Sequence, residues 1–270
     1  MYKVLIFALC ALVTISCNPE TEMLQVVRTE NDNQSKNEVM SRSSTYTMPD
    51  ETQPHEGTWL QWPHHYQYGT TYRNRLDATW VAMTKALVAS EKVHIIAYNA
   101  TEKSRITNLL NNAGIPMTNI DFKIFQTNDV WVRDNGPIYV KNASGQMIVQ
   151  DWGFNGWGFK TPYSKDNVIP ASVATAQALP KVDLNKTMVL EGGAFEIDGN
   201  GTFLATKSAI LNSNRNPGMT QAQAETILNQ NLGVTNFIWL TGVPNADLTD
   251  MHIDGFARFG DPNTIVTMNN

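Results

Sequence analysis

The chain has 270 residues, 42% of them hydrophobic and 17% charged, which excludes wholesale disorder, because a disordered chain combines low hydrophobicity with high charge. Twenty basic residues against twenty-five acidic ones give a net charge of −5. That argues against nucleic acid as a partner, which would call for a basic face, and admits a cationic ligand. The two cysteines, Cys10 and Cys17, both fall within the first seventeen residues, so no disulfide framework staples the body of the protein and no thiol nucleophile stands there.

Met1-Tyr2-Lys3 is a short basic start, and residues 4–15 form an almost unbroken apolar run. Such a run suits the core of a signal peptide and is too short to span a bilayer. Ser16-Cys17-Asn18 follows in the manner of a bacterial lipoprotein cleavage box. The sequence therefore predicts a signal peptide over 1–16, export, and membrane attachment through a lipidated Cys17 at a periplasmic or cell-surface location. The competing reading is a buried N-terminal strand. Residues 17–47 are polar and poor in aromatics, with Asn31-Asp32-Asn33-Gln34-Ser35-Lys36-Asn37 at their centre, and are expected to be a disordered tether. No later segment is long and apolar enough to cross a membrane as a helix.

The globular domain is expected over 48–270. Thr58-Trp59-Leu60-Gln61-Trp62 alternates like a strand and stops at Pro63,. Leu76, Trp80, Met83 and Leu87 share one face of a helix over 72–90,. A strand over 93–98 follows, then a helix capped by Thr101 and ended by Gly114. From here a unit recurs: helix, short apolar strand, polar loop, two β-rich runs, next helix. The first pass has a helix over 101–113, a strand over 122–125 and Asp129-Val130-Trp131-Val132-Arg133-Asp134-Asn135-Gly136-Pro137. The second has 170–179, 187–190 and Glu191-Gly192-Gly193. The third has 220–232, with a capping box in Thr220 and Gln223 and a stop at Gly233, then 237–240 and Asp250-Met251-His252-Ile253-Asp254. Asp134 and Glu191 are 57 residues apart and Glu191 and His252 are 61 apart, a period that suggests modules packed on their neighbours. Arranged around an axis, their strand ends would meet at one polar site, giving an α/β propeller with helices outside. An open α/β sheet with polar loops along one edge is the alternative. The chain stops two residues after a strand over 264–268, so the ring is expected to be incomplete at the C-terminus, lacking its last module.

Asp134, Glu191, His252 and Asp254 stand at the predicted strand ends. Three carboxylates in one pocket would repel each other unless a cation sits between them, and a guanidinium fits because carboxylates bind its planar fork in pairs. His252 and Asp254 are two apart and would face the same way on a strand, with His252 free to handle protons. Each residue also has a plainer reading: Asp134 a turn aspartate, Glu191 a loop charge, His252 a core histidine partnered by Asp254, Trp131 a core residue. Phe154-Asn155-Gly156-Trp157-Gly158 is either a lid or a packed loop, and Asp198-Gly199-Asn200-Gly201 is a hairpin turn. The tryptophans could instead form a sugar-binding face. His55, His64 and His65 lack the cysteines or spaced His-Glu pair of a zinc site, so no metal is expected.

These motifs resemble the agmatine deiminase family, to which bacterial peptidylarginine deiminases also belong. The resemblance is carried by Met48-Pro49-Asp50-Glu51 with Pro54-His55-Glu56-Gly57-Thr58-Trp59-Leu60-Gln61-Trp62-Pro63, by Asn128 to Pro137, by Phe154 to Gly158, by Glu191-Gly192-Gly193 with Asp198 to Thr202, and by His252-Ile253-Asp254-Gly255-Phe256-Ala257-Arg258-Phe259. It implies a pentein-type pseudo-fivefold α/β propeller and hydrolysis of a guanidine to a urea, agmatine or peptidyl-arginine being the substrate, with no cofactor. It further implies that Asp134, Glu191 and Asp254 orient the guanidinium with Trp131 beside it, and that His252 transfers protons. In such enzymes a cysteine near the C-terminus is the nucleophile. Cys10 and Cys17 do not match it, so this chain alone is expected to be inactive. A noncatalytic guanidinium-binding lipoprotein is the alternative. If Cys17 carries the anchor, Cys17→Ala moves the protein from the membrane fraction to the soluble one; unchanged partitioning would remove the anchor.

Overall fold

The structure is a computed structural model and describes residues 44–268. The expected signal peptide, Cys17 and nearly all of the tether lie outside the described residues. The first element, β1 (Tyr46–Thr47), pairs antiparallel with β5 (Ile138–Asn142), so the last residues of the expected tether are strand. The reason is local: Thr45 and Met48 donate backbone hydrogen bonds to Gln230 and Leu232, and Tyr46 and Met48 pack on the main hydrophobic cluster.

The first three-stranded sheet is parallel throughout, with β3 (Lys92–Ala97) between β2 (Gly57–Gln61) and β4 (Ile120–Ile124). Parallel neighbours need crossover connections, supplied by α1 (His65–Leu87) and α2 (Ala100–Asn112). Val93, Ile95 and Ala97 of β3 are buried with Ile106 and Leu110 of α2, and Trp80, Met83 and Leu87 of α1 pack against them. Two boundaries differ from expectation. Helix α1 starts at His65, with non-helical Gly69 inside it. The cap of α2 is Asn99, whose side chain accepts from the Glu102 N–H. Asn99 is in extended backbone just before the helix, which is the N-cap geometry, whereas Thr101 is already helical.

The recurring unit is present in the second and third sheets. Strand β5 pairs antiparallel with β6 (Met147–Gly153), and β6 pairs parallel with β7 (Lys181–Val189) after α3 (Ile169–Ala176). Strand β8 (Phe195–Ile197) pairs antiparallel with β9 (Thr202–Thr206), and β9 pairs parallel with β10 (Asn236–Leu240) after α4 (Gln221–Leu232). The hairpin of β11 (Ala257–Asp261) and β12 (Thr264–Thr267) repeats the antiparallel pair that opens each of these units. One core joins both units: Phe203 of β9 stacks on Phe195 and contacts Phe237 and Trp239, while Leu228 and Leu232 of α4 pack in from above. No helix among the described residues is long and apolar enough to cross a membrane.

Helix α4 begins with the expected capping box of Thr220 and Gln223 and ends at Gly233, whose φ is 77°. A Cβ at Gly233 would lie 2.5 Å from the Tyr46 carbonyl oxygen. The left-handed conformation alone makes Gly233→Ala unfavourable by about 1–2 kcal/mol, and the clash adds loss of β1. Urea denaturation is expected to show this larger cost beside about 1 kcal/mol for Thr220→Ala, with hydrogen exchange at Thr47 rising in the Gly233 variant only.

Candidate active site

Three turns bring the site together. Asp134 lies in the single helical turn Val132–Asn135, held by its N–H on the Trp131 carbonyl at 2.9 Å. Glu191 follows β7 and leads into the 3-10 turn Gly192–Ala194. His252 leads into the 3-10 turn Ile253–Gly255. The 252–254 segment is thus a turn and not the strand expected, yet His252 and Asp254 still face one centre. Gly193 shows how tightly the groups converge. A Cβ there would meet Asp134 Oδ1 at 2.6 Å and both Asp254 Oδ2 and His252 Nδ1 at 2.7 Å. Only a residue without a side chain leaves room for the three, and its N–H donates to Asp134 Oδ1 at 3.1 Å.

Hydrogen bonds sort the carboxylates. Glu191 is buried and spends both oxygens: Oε2 on His252 Nε2 at 2.7 Å and on Arg215 Nη2 at 3.3 Å, Oε1 on Arg215 Nε at 2.7 Å. Asp134 Oδ2 accepts from the Trp157 indole at 2.8 Å, and its Oδ1 lies 3.5 Å from His252 Nδ1. Asp254 is half-buried beside them. His252 therefore has Glu191 and Asp134 as its ring partners, and not Asp254 as a core histidine pair would require. Trp131 stands 54% exposed at the head of the turn that carries Asp134.

The charges follow from this packing. Burial opposes the His252 charge, but the hydrogen bonds and negative charge of Asp134 and Glu191 outweigh it and push its pKa up to about 10. Burial raises the Asp254 pKa and the Asp134 charge raises it further, against His252, Arg133 and Arg258. Behind Glu191, Arg215 reaches Asp250 Oδ2 at 2.7 Å, and Lys160 reaches the same atom at 2.8 Å. Burial would raise the Asp250 pKa, but Lys160, the Asn245 N–H, Asn214 and Arg215 hold it at about 2.

Arg215 lies outside every motif, and Asp250 and Trp157 stand within motifs that gave neither of them a role of its own. The polar run Asn214-Arg215-Asn216-Pro217 carried a signal for the first, and the packed alternative for the aromatic loop a signal for the last. Phe154 and Trp157 are buried edge to face at 5.1 Å, with Phe159 at the exposed tip. Of the other histidines, His64 is buried against the Thr127 carbonyl, and desolvation lowers its pKa to about 4 despite that bond. His65 pairs with Glu102 and His55 with Glu91, each at 2.9 Å. Among the described residues no group of three or more His, Cys, Asp or Glu is placed to hold a metal ion.

His252 carries a stability prediction. Its folded pKa of about 10 lies above the ordinary imidazole value, so its contribution is full below about pH 6.5 and is lost as pH rises through about 10. Denaturation of wild type and His252→Gln between pH 6 and pH 10.5 is expected to show a stability gap that narrows by on the order of 4 kcal/mol. A constant gap would show that His252 is not an imidazolium.

Comparison with known proteins agrees with this architecture. The family model for the Porphyromonas-type peptidyl-arginine deiminase matches residues 47–270. The agmatine deiminase of Pseudomonas fluorescens (strain SBW25) is 33% identical over 231 residues, 83% of this chain and 61% of that protein; the chain spans about three-fifths of that relative's length. Among solved structures, the agmatine deiminase of Enterococcus faecalis superposes with a TM-score of 0.74 at 26% identity, covering 85% of this chain and 63% of that one. A variant of the C. jejuni agmatine deiminase with substrate bound superposes with a TM-score of 0.69 at 29% identity, over 82% and 64%. The fold is the pentein-type α/β propeller.

Proposed function

The chain belongs to the Porphyromonas-type peptidyl-arginine deiminase family, and we propose that its pocket holds a guanidinium between Asp134 and Asp254 for hydrolysis to a urea and ammonia. The observation that carries the reading is the convergence of Asp134, Asp254 and His252 around Gly193. Two carboxylates on one centre suit the planar fork of a guanidinium. Exposed Trp131 offers a flat face for the cation or its alkyl chain.

In this reading a thiolate adds to the guanidinium carbon, and the imidazolium of His252 gives its proton to the departing nitrogen, which leaves as ammonia. The neutral imidazole then takes a proton from water as its oxygen attacks the amidino thioether, and the carbon–sulfur bond breaks to release the thiolate and the urea, whose remaining hydroxyl proton passes to solvent and ends on the ammonia as ammonium. An acid charged at rest suits the first half, and the base it becomes suits the second. Glu191 serves His252, which it meets at 2.7 Å while Arg215 holds both of its oxygens. Residues 44–268 contain no cysteine, so the thiol of this mechanism is not supplied by the described domain. The second reading is a noncatalytic guanidinium binder, in which the same carboxylates hold the cation without a thiol. Export and anchoring at Cys17 would present either activity outside the cytoplasm, to a small guanidine or to a peptidyl one.

Calorimetry with agmatine, free arginine and an arginine-containing peptide tests the binding. At least one is expected to bind, and Asp134→Asn and Gly193→Ala are each expected to weaken it tenfold or more, about 1.4 kcal/mol; binding of none would sink the guanidinium site. A colour assay for the urea product is expected to be silent for the 270-residue chain and positive for a longer in-frame product that carries a cysteine-containing module after residue 270. Turnover by the 270-residue chain would rule out the thiol route, and silence in a longer product carrying a cysteine would favour the binder.

A further inference from the structure

We propose that Arg215 is the positioning residue for His252, clamping Glu191 and the 249–251 segment into one arrangement. The proposal deepens the deiminase reading and rests on it for its catalytic consequence, while its geometry stands apart from any activity. The Arg215 side chain is fully buried, and all five of its N–H bonds are used. Nε donates to Glu191 Oε1 at 2.7 Å. Nη1 donates to Asp250 Oδ2 at 2.7 Å and Asn214 Oδ1 at 3.0 Å. Nη2 donates to Glu191 Oε2 at 3.3 Å and to the Thr249 carbonyl at 3.2 Å. The clamp thus grips the partner of His252 from one side and the chain leading into His252 from the other.

That chain needs gripping. Asp250 and Met251 are consecutive residues with φ of 62° and 66°, a region disfavoured for any residue with a Cβ. Side chains hold them there: Ser208 donates to the Asp250 carbonyl at 2.6 Å, Thr206 to the Met251 carbonyl at 2.7 Å, and the Asn245 N–H to Asp250 Oδ1 at 2.6 Å. The next residue is His252, whose N–H is fixed on Thr249 Oγ1 at 3.0 Å. A buried ion pair is weak ground for stability, since desolvation offsets the attraction; what a planar five-donor fork secures is orientation. Lysine, a point charge with three donors, cannot span the same partners.

Without Arg215, Glu191 is left to His252 in a dry site, where it turns aside or takes up a proton. His252 then loses support on Nε2 and titrates lower. The carboxylates facing it are Glu191, Asp134, Asp254 and Asp247, and all remain in the Arg215 variants. The test is side-chain NMR of ring-labelled histidines in the 270-residue chain, with the His252 signal assigned by its loss in His252→Gln. Arg215→Lys and Arg215→Gln are expected to lower the His252 midpoint by one pH unit or more, and Glu191→Gln by at least as much. A folded Arg215 variant, cooperative in melting, with an unchanged midpoint would overturn the proposal. If neither folds, Asp250→Asn, which weakens the far end of the clamp together with the Lys160 pair, must lower the midpoint, and an unchanged value overturns it equally. A lowered midpoint in a protein that binds no guanidine would remove the deiminase reading and leave the positioning role standing.

Discussion

An ordered alternation of charge runs through the interior of this protein. Lys160, Asp250, Arg215, Glu191, His252 and Asp134 alternate in sign, joined by contacts of 2.8, 2.7, 2.7, 2.7 and 3.5 Å. A carboxylate removed from water without a partner is too costly to persist in ionised form, so each inner charge has its opposite on both sides. Asp254 stands beyond the last pair. Burial raises its pKa, and the charge of Asp134 raises it further against His252, Arg133 and Arg258.

The fold exists at the site as a means of delivering backbone turns to one place. Each repeated unit sends a short strand inward and then breaks into a loop or turn that carries one polar group. Because the turns pack directly on one another, their tolerance for side chains is small, and Gly193 marks the point of closest approach. The supporting residues sit in costly conformations: Trp157 at φ 56° aims its indole at Asp134, and Asp250 and Met251 aim the chain at His252. Such strain persists only where the surroundings over-determine it. Here Asn155 accepts from the Gly158 N–H and donates to the Asn214 carbonyl, which ties the Trp157 loop to the Arg215 loop.

This arrangement separates two jobs that motif reading had merged. Asp134, Glu191 and Asp254 read alike in sequence, as carboxylates after strands. In three dimensions Glu191 is bonded to Arg215 and His252, while Asp134 and Asp254 converge with His252 on Gly193. The difference arises from Arg215, which belongs to none of the repeated motifs.

Local chemistry decided what the sequence determined by itself. The Thr220–Gln223 capping box, the stop at Gly233, the Asp198–Gly201 turn and the repeat of helix, strand and polar loop all depend on neighbours within a few residues, and all were legible. So were the positions of Asp134, Glu191, His252 and Asp254, because the period placed them at equivalent points. Tertiary structure alone decided the rest. The placement of β1 depends on α4, nearly two hundred residues on, and the partners of His252 come from 118 and 61 residues away. Arg215 and Trp157 acquire their roles only when separate loops are packed against each other, and no spacing rule within a segment encodes a contact whose two halves lie in different modules.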